Sequence, residues 1–529
     1  MYRVLVSDKL GAAALDRLKE FPDITTDVKT GLSREQLIEI IPEYDGLIVR
    51  SGTQVTADIL AAATRLRVVG RAGVGVDNID VKAASMRGVV VMNTPGANSM
   101  ATAELTMGLM LAVSRNIPQS HASLKAGEWR RSDFVGIQLY RKVLGIIGFG
   151  RVGKLVAERA KGFGMDVVVY DPSALEETAR ELGVILVELE DLFAQSDFIT
   201  LHAALTPDTN KLINEKTLAQ MKDSAILINA ARGKLVDEAA LAAALKNGKL
   251  AGAAVDVYST EPPAADHPLI GLPNVVHVPH LGASTREAER DVGIQIVGQV
   301  VSALRGTDFS YSVNMPFEVE GGFAAVRPYL ELAETLGRLH AGLADKPIQR
   351  IEIEAHGDAV GSLVRAIGSG LLKGVLDSNG GDVPVNYINA PTLANERGIT
   401  TTQTVGLNNL DYPNLVACRA VWDGGRRLLA GVLFGGSEPR IVQVDEYRLE
   451  ARPEGIVLIM QNQDIPGVIG QVGTLLASHG VNIGEWRLGR VMPGGEALSF
   501  INLDSRPSEA ALAELRTIKA VTQAKVVNL

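Results

Sequence analysis

The sequence of 529 residues is poor in three features that mark other protein classes: cysteine, long apolar runs and positive charge. Its single cysteine, Cys418, excludes a disulfide framework within one chain and is typical of a reducing compartment. Apolar runs such as residues 143–147 are far shorter than the roughly 20 residues of a membrane-spanning helix. The amino terminus lacks the apolar core of a signal peptide. We therefore expect a cytoplasmic protein with no membrane partner.

Acidic residues outnumber basic ones, and the remaining composition is ordinary. The chain has 61 Asp and Glu against 52 Lys and Arg, so its net charge of −9 gives no electrostatic reason to expect a nucleic-acid partner. Hydrophobic residues make up 46% and charged residues 21%, which is typical of an α/β protein. The chain is too long for one hydrophobic core, so we expect about three or four domains.

Short apolar segments alternate with helical stretches through the first half of the chain. Predicted strands of a first unit are residues 4–6, 47–49, 67–69 and 89–92, with helices at 12–20 and 57–63. A longer helix is predicted at 101–115, with Ser99 as its N-cap. Predicted strands of a second unit are 143–147, 166–170, 198–201, 225–229, 253–255 and 275–278, followed by an amphipathic helix at 287–304. This alternation predicts parallel, doubly wound sheets with crossover helices.

The pattern changes beyond about residue 317. Residues 351–354 alternate as a half-buried strand does, and residues 415–422 and 426–434 form a predicted hairpin around Asp423-Gly424-Gly425. The last segment has the order strand, helix, strand, strand, helix, strand, with strands predicted at 456–460, 497–503 and 521–527 and helices at 468–479 and 509–518. This order is typical of a ferredoxin-like α+β domain.

A glycine motif marks a dinucleotide site. Gly148-Phe149-Gly150-Arg151-Val152-Gly153 follows an apolar strand and opens a predicted helix at 151–163. Gly148 permits the tight turn, Gly150 the close approach of a pyrophosphate, and Gly153 close helix–strand packing. Asp171, after the next strand, is expected to bind the ribose hydroxyls and to repel a 2′-phosphate, which favours NAD over NADP. The alternative is a tight turn and a solvated aspartate.

Three further residues follow predicted strands and suit hydride transfer from a hydroxy acid. His280 is the candidate acid/base because imidazole titrates near neutral pH, and Glu261 is the carboxylate that would orient it. Arg232 offers a bidentate fork for a substrate carboxylate. Taken singly, Arg232 could be a cation flanking a helix, Glu261 a turn residue and His280 part of a capped loop. Their joint placement favours a catalytic site. No metal site is predicted.

The segments Arg71-Ala72-Gly73-Val74-Gly75-Val76-Asp77-Asn78, 229–241, 256–262 and 280–285 resemble the family of D-isomer-specific 2-hydroxyacid dehydrogenases. The resemblance implies a substrate-binding arginine at Arg232 and an acid/base pair of Glu261 and His280. It also implies a flavodoxin-like substrate domain at 1–97 and 286–317, interrupted by a Rossmann-type NAD-binding domain at 98–285. The resemblance further implies an intervening α+β domain at 318–452, and this likeness is strongest at 389–398. It also implies a regulatory domain of the ACT type at 453–529.

The resemblance also assigns binding residues. Those implied for NAD are Val74, Gly148, Gly150, Arg151, Val152, Gly153, Asp171, Ala203, Ala230, Ala231, Arg232, Asp256, His280, Leu281, Gly282 and Ala283. Those implied for a phosphorylated substrate are Arg50, Ser51, Arg71, Gly73, Asn98 and Arg131. Relatives commonly read His-x-Pro-Leu-Thr where this chain has His202-Ala203-Ala204-Leu205-Thr206, which weakens the expectation of a side-chain contact at Ala203. The segment Trp129-Arg130-Arg131 resembles one that reaches a neighbouring subunit's site. The alternative, solvated loop arginines, stays open for Arg50, Arg71, Arg130 and Arg131.

In the regulatory domain, the resemblance implies that Asp464 and Asn482 bind a free amino acid, L-serine, across a dimer interface. The alternative reading is a structural turn. The activity implied is NAD-dependent oxidation of 3-phospho-D-glycerate to 3-phosphohydroxypyruvate, the first step of serine synthesis, in a homotetramer. Two other functions stay open: a dehydrogenase for another D-2-hydroxy acid such as 2-hydroxyglutarate, and a dinucleotide-sensing interaction protein. The intact arginine, glutamate and histidine argue against the latter.

Overall fold

The structure is a computed structural model, and it describes residues 1–318, 322–377, 384–406 and 412–529. Four β-sheets follow one another along these residues. Two are parallel, one is mixed and one is antiparallel, which confirms the predicted α/β class with additional α+β units. Within the described ranges, no helix is long and apolar enough to span a bilayer.

The first sheet is parallel and has the strand order β2-β1-β3-β4-β5. Its elements are β1 (Tyr2–Val6), α1 (Ala12–Lys19), β2 (Ile24–Val28), α2 (Arg34–Ile40), β3 (Gly46–Val49), α3 (Ala57–Ala62), β4 (Val68–Arg71), α4 (Val81–Met86) and β5 (Val90–Met92). The four predicted strands are confirmed within two residues, whereas β2 was not predicted. The strand β2 was missed because its sequence has no apolar run. It lies at the edge of the sheet, and none of its residues is buried.

Two helices connect the first sheet to the second, α5 (Ser99–Ser114) and α6 (Ile117–Lys125). The expectation that Ser99 caps the first of them is wrong. Asn98 occupies the cap position, and Ser99 is the buried first residue of the helix. The helices are separated at Asn116, whose φ of 51° is left-handed and ends the helical hydrogen-bond ladder.

The second sheet is parallel, with the order β12-β11-β10-β9-β6-β7-β8. Its elements are β6 (Val143–Ile147), α7 (Arg151–Gly162), β7 (Asp166–Tyr170), α8 (Glu176–Leu182), β8 (Ile185–Leu186), α9 (Leu189–Gln195), β9 (Phe198–Leu201), α10 (Glu215–Gln220), β10 (Ile226–Asn229), α11 (Glu238–Lys246), β11 (Gly252–Val255) and β12 (Val275–His277). The strands β7 and β8 lie on one side of β6, and β9 to β12 lie on its other side. The boundary between β6 and β9 is therefore a topological switch point, where such sheets bind ligands.

The helix α12 (Arg286–Arg305) returns to the first sheet. Its side chains Ile296 and Val300 lie directly on Gly70 of β4, where a Cβ would collide with them. After the helix, Ser312 bridges to Met92 at the end of β5. These contacts agree with a discontinuous first domain, although the exact domain boundaries stay a prediction.

The third sheet is mixed, with the order β14-β13-β15-β16-β17-β18. Its elements are α13 (Phe323–Leu343), β13 (Ile348–His356), α14 (Asp358–Gly361), α15 (Val364–Asp377), α16 (Ala390–Glu396), β14 (Thr400–Gly406), β15 (Leu415–Trp422), β16 (Gly425–Phe434), β17 (Glu438–Val444) and β18 (Tyr447–Ala451). The predicted hairpin is confirmed, with Gly424 at a φ of 81° in its turn. Cys418 is buried, and burial raises the pKa of its thiol.

The fourth sheet is antiparallel, with the order β20-β21-β19-β22. Its elements are β19 (Ile456–Gln463), α17 (Val468–Ser478), β20 (Ile483–Arg490), β21 (Glu496–Leu503), α18 (Glu509–Leu515) and β22 (Val521–Asn528). This βαββαβ arrangement confirms the predicted ferredoxin-like fold. One face of the sheet packs under its two helices, and residues of the other face, such as Ile459 and Phe500, join the hydrophobic core of the third sheet.

Candidate active site

The predicted cofactor residues lie together at one edge of the second sheet. Val74 follows β4 of the first sheet, Arg151, Val152 and Gly153 form the first turn of α7, and the others sit in the loops after β6, β7, β9, β10, β11 and β12. Because these strands are parallel, their carboxyl ends share an edge. Gly148 after β6 touches the backbone of His202 and Ala203 after β9, which closes the switch point.

The glycine motif has the conformation that its sequence predicts. Gly148 has a φ of 95°, and a Cβ there would lie 2.5 Å from the Ala203 nitrogen. A Cβ on Gly153 would collide with the carbonyl oxygen of Gly148. Gly150, by contrast, is the N-cap of α7, and a Cβ there would meet nothing within 4 Å. The space in front of Gly150 and the amides of the helix start therefore fit the pyrophosphate of NAD.

Asp171 fixes the same loop from the neighbouring strand. It follows β7, and its Oδ2 accepts a hydrogen bond from the Phe149 amide at 2.7 Å. Its Oδ1 accepts from the Ser173 amide at 2.8 Å, so the carboxylate is held at the end of the strand. This is where a ribose would follow a pyrophosphate bound at Gly150, and a carboxylate there disfavours a 2′-phosphate.

Glu261 and His280 form a hydrogen-bonded pair. The His280 Nδ1 and Glu261 Oε2 are 2.6 Å apart, and because a carboxylate only accepts, Nδ1 carries the proton. The second carboxylate oxygen accepts from the Tyr258 amide at 3.0 Å. The His280 side chain is 46% exposed, so the ring reaches the cleft while its Nδ1 edge is fixed. This leaves Nε2 as the nitrogen available to a substrate.

The two side chains shift each other's titration. The hydrogen bond to Glu261 raises the pKa of His280 and outweighs the opposing effect of burial. Burial by itself would raise the pKa of Glu261, but the His280 hydrogen bond, the Tyr258 amide and the charges of His280 and Arg232 together lower it. Glu261 is therefore ionised at neutral pH and favours the imidazolium form of His280.

Asp256 holds the loop that carries His280. His280 has a left-handed φ of 54°, an unfavourable conformation for a residue with a side chain. Its amide donates to the Asp256 carbonyl oxygen at 2.8 Å. The Asp256 carboxylate accepts from the amides of Leu281 and Gly282 at 2.5 and 3.0 Å. Asp256 is fully buried, so its observed contacts are with this loop, and a contact with NAD stays a prediction.

Arg232 reaches from the second sheet to a turn of the first. Its Nε donates to Asp77 Oδ2 at 3.1 Å, and its Nη1 donates to the Ala231 carbonyl at 2.7 Å. The guanidinium lies so close to Gly75 that a Cβ there would collide with it. Gly233 in turn lies against the Tyr258–Ser259 peptide, which brings the Arg232 and Glu261 loops together.

Two further arginines lie in the same cleft. The Arg71 guanidinium folds over Gly73, where a Cβ would collide with it. Burial, followed by the positive charges of Arg232 and Arg50, lowers the pKa of Arg71 to about 10. Arg50 pairs with Glu289 of α12 at 3.3 Å. Arg71 is thus a buried cation with the positive charges of Arg232 and Arg50 close by, and such a group forms a site for an anion.

The other predicted substrate residues are less concentrated. Ser51 is exposed beside Arg50, and Asn98 caps α5 in the chain segment that joins the two sheets. Arg131 begins an exposed 3₁₀ turn that continues to Phe134, on the surface segment after α6. The structure thus groups Arg50, Arg71 and Gly73 with the catalytic candidates, and places Arg131 on an outer surface.

Two other histidines at this edge have structural contacts. His202 after β9 pairs with the Thr200 hydroxyl at 3.0 Å, and burial lowers its pKa to about 4. It is therefore a neutral side chain beside the cofactor edge. His277 at the end of β12 pairs with the Tyr258 hydroxyl at 2.9 Å, as expected of a packed histidine.

The predicted effector residues lie elsewhere, in the fourth sheet. Asp464 follows β19 and pairs with Arg490 at the end of β20, at 2.9 Å. Asn482 precedes β20 and donates to Asp504 at 2.7 Å. Strand register places the two at opposite ends of the sheet. Strands of eight residues separate them by roughly 25 Å, so they do not share one ligand within a chain.

Sequence reasoning missed Asp77 as a partner of Arg232. Asp77 stands inside the segment 71–78 that carried the family resemblance, yet nothing in its local pattern points to a residue 155 positions away. It also missed Glu238, the first residue of α11, which is bonded to the Glu261 loop. An acidic residue in the first turn of a helix is common, so its sequence carries no specific signal.

Sequence profiles of two families match this chain. The NAD-binding domain of D-isomer-specific 2-hydroxyacid dehydrogenases matches residues 107–282. The D-3-phosphoglycerate dehydrogenase intervening domain matches residues 325–445. The first match contains the glycine motif, Arg232, Glu261 and His280, and the second contains most of the third sheet.

Curated relatives and solved structures agree with these matches. D-3-phosphoglycerate dehydrogenase from Methanocaldococcus jannaschii is 42% identical over 100% of both chains. The enzyme of that name from Synechocystis sp. is 40% identical over 100% of this chain and 95% of its own. A glyoxylate reductase from Paecilomyes thermophila is 30% identical in the aligned part, with a TM-score of 0.55, over 59% of this chain and 98% of that one.

Proposed function

The chain belongs to the D-3-phosphoglycerate dehydrogenase family, and on that premise we propose that it oxidises 3-phospho-D-glycerate to 3-phosphohydroxypyruvate with NAD. The observation that carries the proposal is the group of Arg50, Arg71 and Arg232 beside the Glu261–His280 pair. A 2-hydroxy acid needs one cation for its carboxylate, and a phosphate group requires more.

The arginines divide these two tasks. Arg232 binds the substrate carboxylate, because it lies nearest the acid/base pair and Asp77 and Ala231 fix its guanidinium. Arg71 and Arg50 bind the phosphate at the first sheet. An anion there offsets the burial of Arg71 and its repulsion by Arg232 and Arg50, which in that order lower its pKa. Charge-assisted hydrogen bonds of this kind contribute about 1.5–3 kcal/mol each, so the phosphate dominates substrate selection.

His280 performs the proton transfer. In the oxidation, its Nε2 takes the proton of the C2 hydroxyl while Nδ1 remains bonded to Glu261. The Glu261 carboxylate stabilises the resulting imidazolium, which is the state that its hydrogen bond already favours. When bound, NAD accepts the hydride from C2. The residues that hold it are Gly150 with the start of α7, Asp171 at the ribose, and the loops at Ala203, Ala230 and Leu281.

NADH formation tests this proposal. Wild-type protein is assayed with 3-phospho-D-glycerate, D-glycerate and D-2-hydroxyglutarate at equal NAD. The proposal predicts that kcat/KM is highest for 3-phospho-D-glycerate. Preference for 2-hydroxyglutarate would assign another D-2-hydroxy acid as the substrate, and NAD binding with no turnover of any of these would favour a dinucleotide sensor.

The same proposal extends to assembly and regulation. We propose a homotetramer in the cytoplasm that L-serine inhibits through Asp464 of one chain and Asn482 of another. Two features support it. The separation of the two residues requires a second chain, and the segment after α5 exposes large apolar side chains, namely Leu124 (60%), Trp129 (82%), Val135 (82%) and Tyr140 (58%). Several large apolar side chains exposed on one segment favour an interface there. Sedimentation of the purified chain measures its assembly.

A further inference from the structure

Glu238, the first residue of α11, contacts the loop that carries Glu261. Its Oε1 accepts from the Ser259 amide at 2.8 Å, and its Oε2 accepts from the Ser259 hydroxyl. His267 Nε2 lies 3.2 Å from the same Oε2. The side chains of Glu238 and His267 are 13% and 12% exposed, whereas Ser259 is exposed.

The His267 ring faces the same carboxylate. His267 Nδ1 accepts from the Leu269 amide, at 3.4 Å, so Nε2 is the ring nitrogen turned toward Glu238. The two donors of Ser259 thus bind one carboxylate, and His267 lies within ion-pair distance of it. The His267 ring also packs edge-on against Tyr258, with ring centres 5.3 Å apart.

The Tyr258–Ser259 peptide is thereby held from two sides. On one side is Gly233, where any Cβ would collide with the peptide. On the other side is the carboxylate of Glu238. The Tyr258 amide donates to Glu261 at 3.0 Å, so a shift of the peptide moves Glu261 and with it His280. Gly233 follows Arg232 directly, so the same contact sets the spacing between the arginine and the acid/base pair.

We propose that Glu238 is a positioning residue of the active site, which holds the Tyr258–Ser259 peptide against Gly233 through Ser259 and His267. We name this group, Glu238, Ser259 and His267, the carboxylate clamp. It does not touch the substrate, and it acts on the reaction through Glu261. The inference rests on the proposed function for its reaction class, but the contacts are independent of which hydroxy acid is bound.

Glu238→Ala tests the clamp in the full-length protein. Misplacing catalytic groups by about 1 Å costs up to about a hundredfold in rate, so we expect kcat to fall by about ten- to a hundredfold. KM for NAD stays within about twofold, because the glycine loop is not part of the clamp. Glu215→Ala is the control, since Glu215 is likewise the first residue of a helix, α10, but is exposed, so its substitution should leave kcat unchanged.

The pH profile of the reaction distinguishes a positioning role of Glu238 from an effect on the stability of the protein alone. His280 is faced by Glu261, Asp256 and Arg232, and its raised pKa depends mainly on the Glu261 hydrogen bond. A loosened clamp weakens that bond, so the acidic limb of kcat/KM for oxidation shifts to lower pH in Glu238→Ala. Lower activity with an unshifted limb would overturn the proposal, because it would indicate only a smaller active fraction.

Two further measurements keep the test decisive. NMR titration of the His280 ring, assigned with His280→Gln, should show the same downward shift in Glu238→Ala without any turnover. If Glu238→Ala does not fold, His267→Gln removes one arm of the clamp, and an unchanged kcat and limb in that variant would overturn the proposal. Rates are measured with whichever hydroxy acid the wild type oxidises, so failure on 3-phospho-D-glycerate refutes the proposed substrate and leaves the clamp testable.

Discussion

In the first half of the chain, Arg232, Glu261 and His280 come from loops after neighbouring parallel strands and meet at one sheet edge. In the last domain, Asp464 and Asn482 lie at opposite ends of an antiparallel sheet. Both groups were identified from short motifs. The difference is topological, since parallel strands bring their carboxyl ends together, whereas successive antiparallel strands alternate in direction. The three catalytic candidates meet within one chain, whereas the proposed effector site requires two.

The largest expected effect is the loss of turnover when His280 is removed from the catalytic site. His280→Ala removes the proton acceptor, and kcat for oxidation should fall by about 10²- to 10⁴-fold, as is usual for loss of a general base. Steady-state NADH formation measures it. His479→Ala is the control from the other region, since His479 caps α17 and pairs with Glu514. Equal activity of His280→Ala and wild type would place the acid/base group elsewhere.

The glycine loop distinguishes cofactor binding from folding. Gly150→Val fills the open space at the start of α7, and we expect NAD affinity to fall by about tenfold or more through lost phosphate hydrogen bonds. Its melting temperature should stay near that of the wild type. Gly148→Val, at a φ of 95°, should instead reduce the free energy of unfolding by about 1–3 kcal/mol. Isothermal calorimetry and thermal unfolding measure the two quantities, and interchangeable behaviour of the variants would contradict the assigned roles.

The Glu261–His280 pair makes a prediction about pH. Because the pKa of His280 is raised, the neutral base needed for oxidation forms only above that pKa, so oxidation increases with pH through it. Reduction of the oxo acid needs the protonated ring and declines over the same range. Glu261→Gln removes the main cause of the shift, so the acidic limb of the pH profile for oxidation should move to lower pH. A limb that stays in place would mean that another group titrates.

Mixed oligomers test the two-chain effector site. Asp464→Ala and Asn482→Ala should each abolish inhibition by L-serine and leave kcat unchanged. In an oligomer of one chain of each kind, one interface site contains both changes and the other contains neither, so partial inhibition should return. Differently tagged chains allow the mixed species to be purified, with the doubly substituted chain paired with itself as the control. Mixed oligomers that remain insensitive to serine would refute a shared site.

The smallest expected effect concerns Arg50. Glu289 pairs with Arg50 at 3.3 Å and competes with a substrate phosphate for it. Exposed ion pairs contribute about 0–1 kcal/mol, so Glu289→Gln should lower KM for 3-phospho-D-glycerate by at most about fivefold and leave kcat unchanged. KM for D-glycerate, which lacks the phosphate, is the internal control. A rise in KM for the phosphorylated acid would show that Glu289 orients Arg50.

Buried parallel strands were the most predictable part of the fold. The strands β7 and β9 have the predicted bounds because each is a continuous apolar run between turn signals. The edge strands β2 and β14 contain no buried residue, and their sequences are rich in threonine and have no apolar run. The N-cap prediction for Ser99 failed by one position, because Asn98 and Ser99 are both good capping residues.

The residues of the candidate site were predictable only where a local sequence motif indicates their chemical role. Gly148, Arg232, Glu261 and His280 each follow a recognisable strand. Their supporting partners were not predictable. Asp77 is bonded to a residue 155 positions away, and Glu238 to one 21 positions away, through contacts that only the packing of separate loops creates.

One measurement tests the central claim most directly: the ratio of kcat/KM for 3-phospho-D-glycerate to that for D-glycerate, in the wild type and in Arg71→Gln. Charge-assisted hydrogen bonds to the phosphate predict a wild-type ratio of about a hundred or more, which falls by about tenfold in Arg71→Gln. A wild-type ratio near one would contradict the account, because the arginines of the first sheet would then not bind a phosphate.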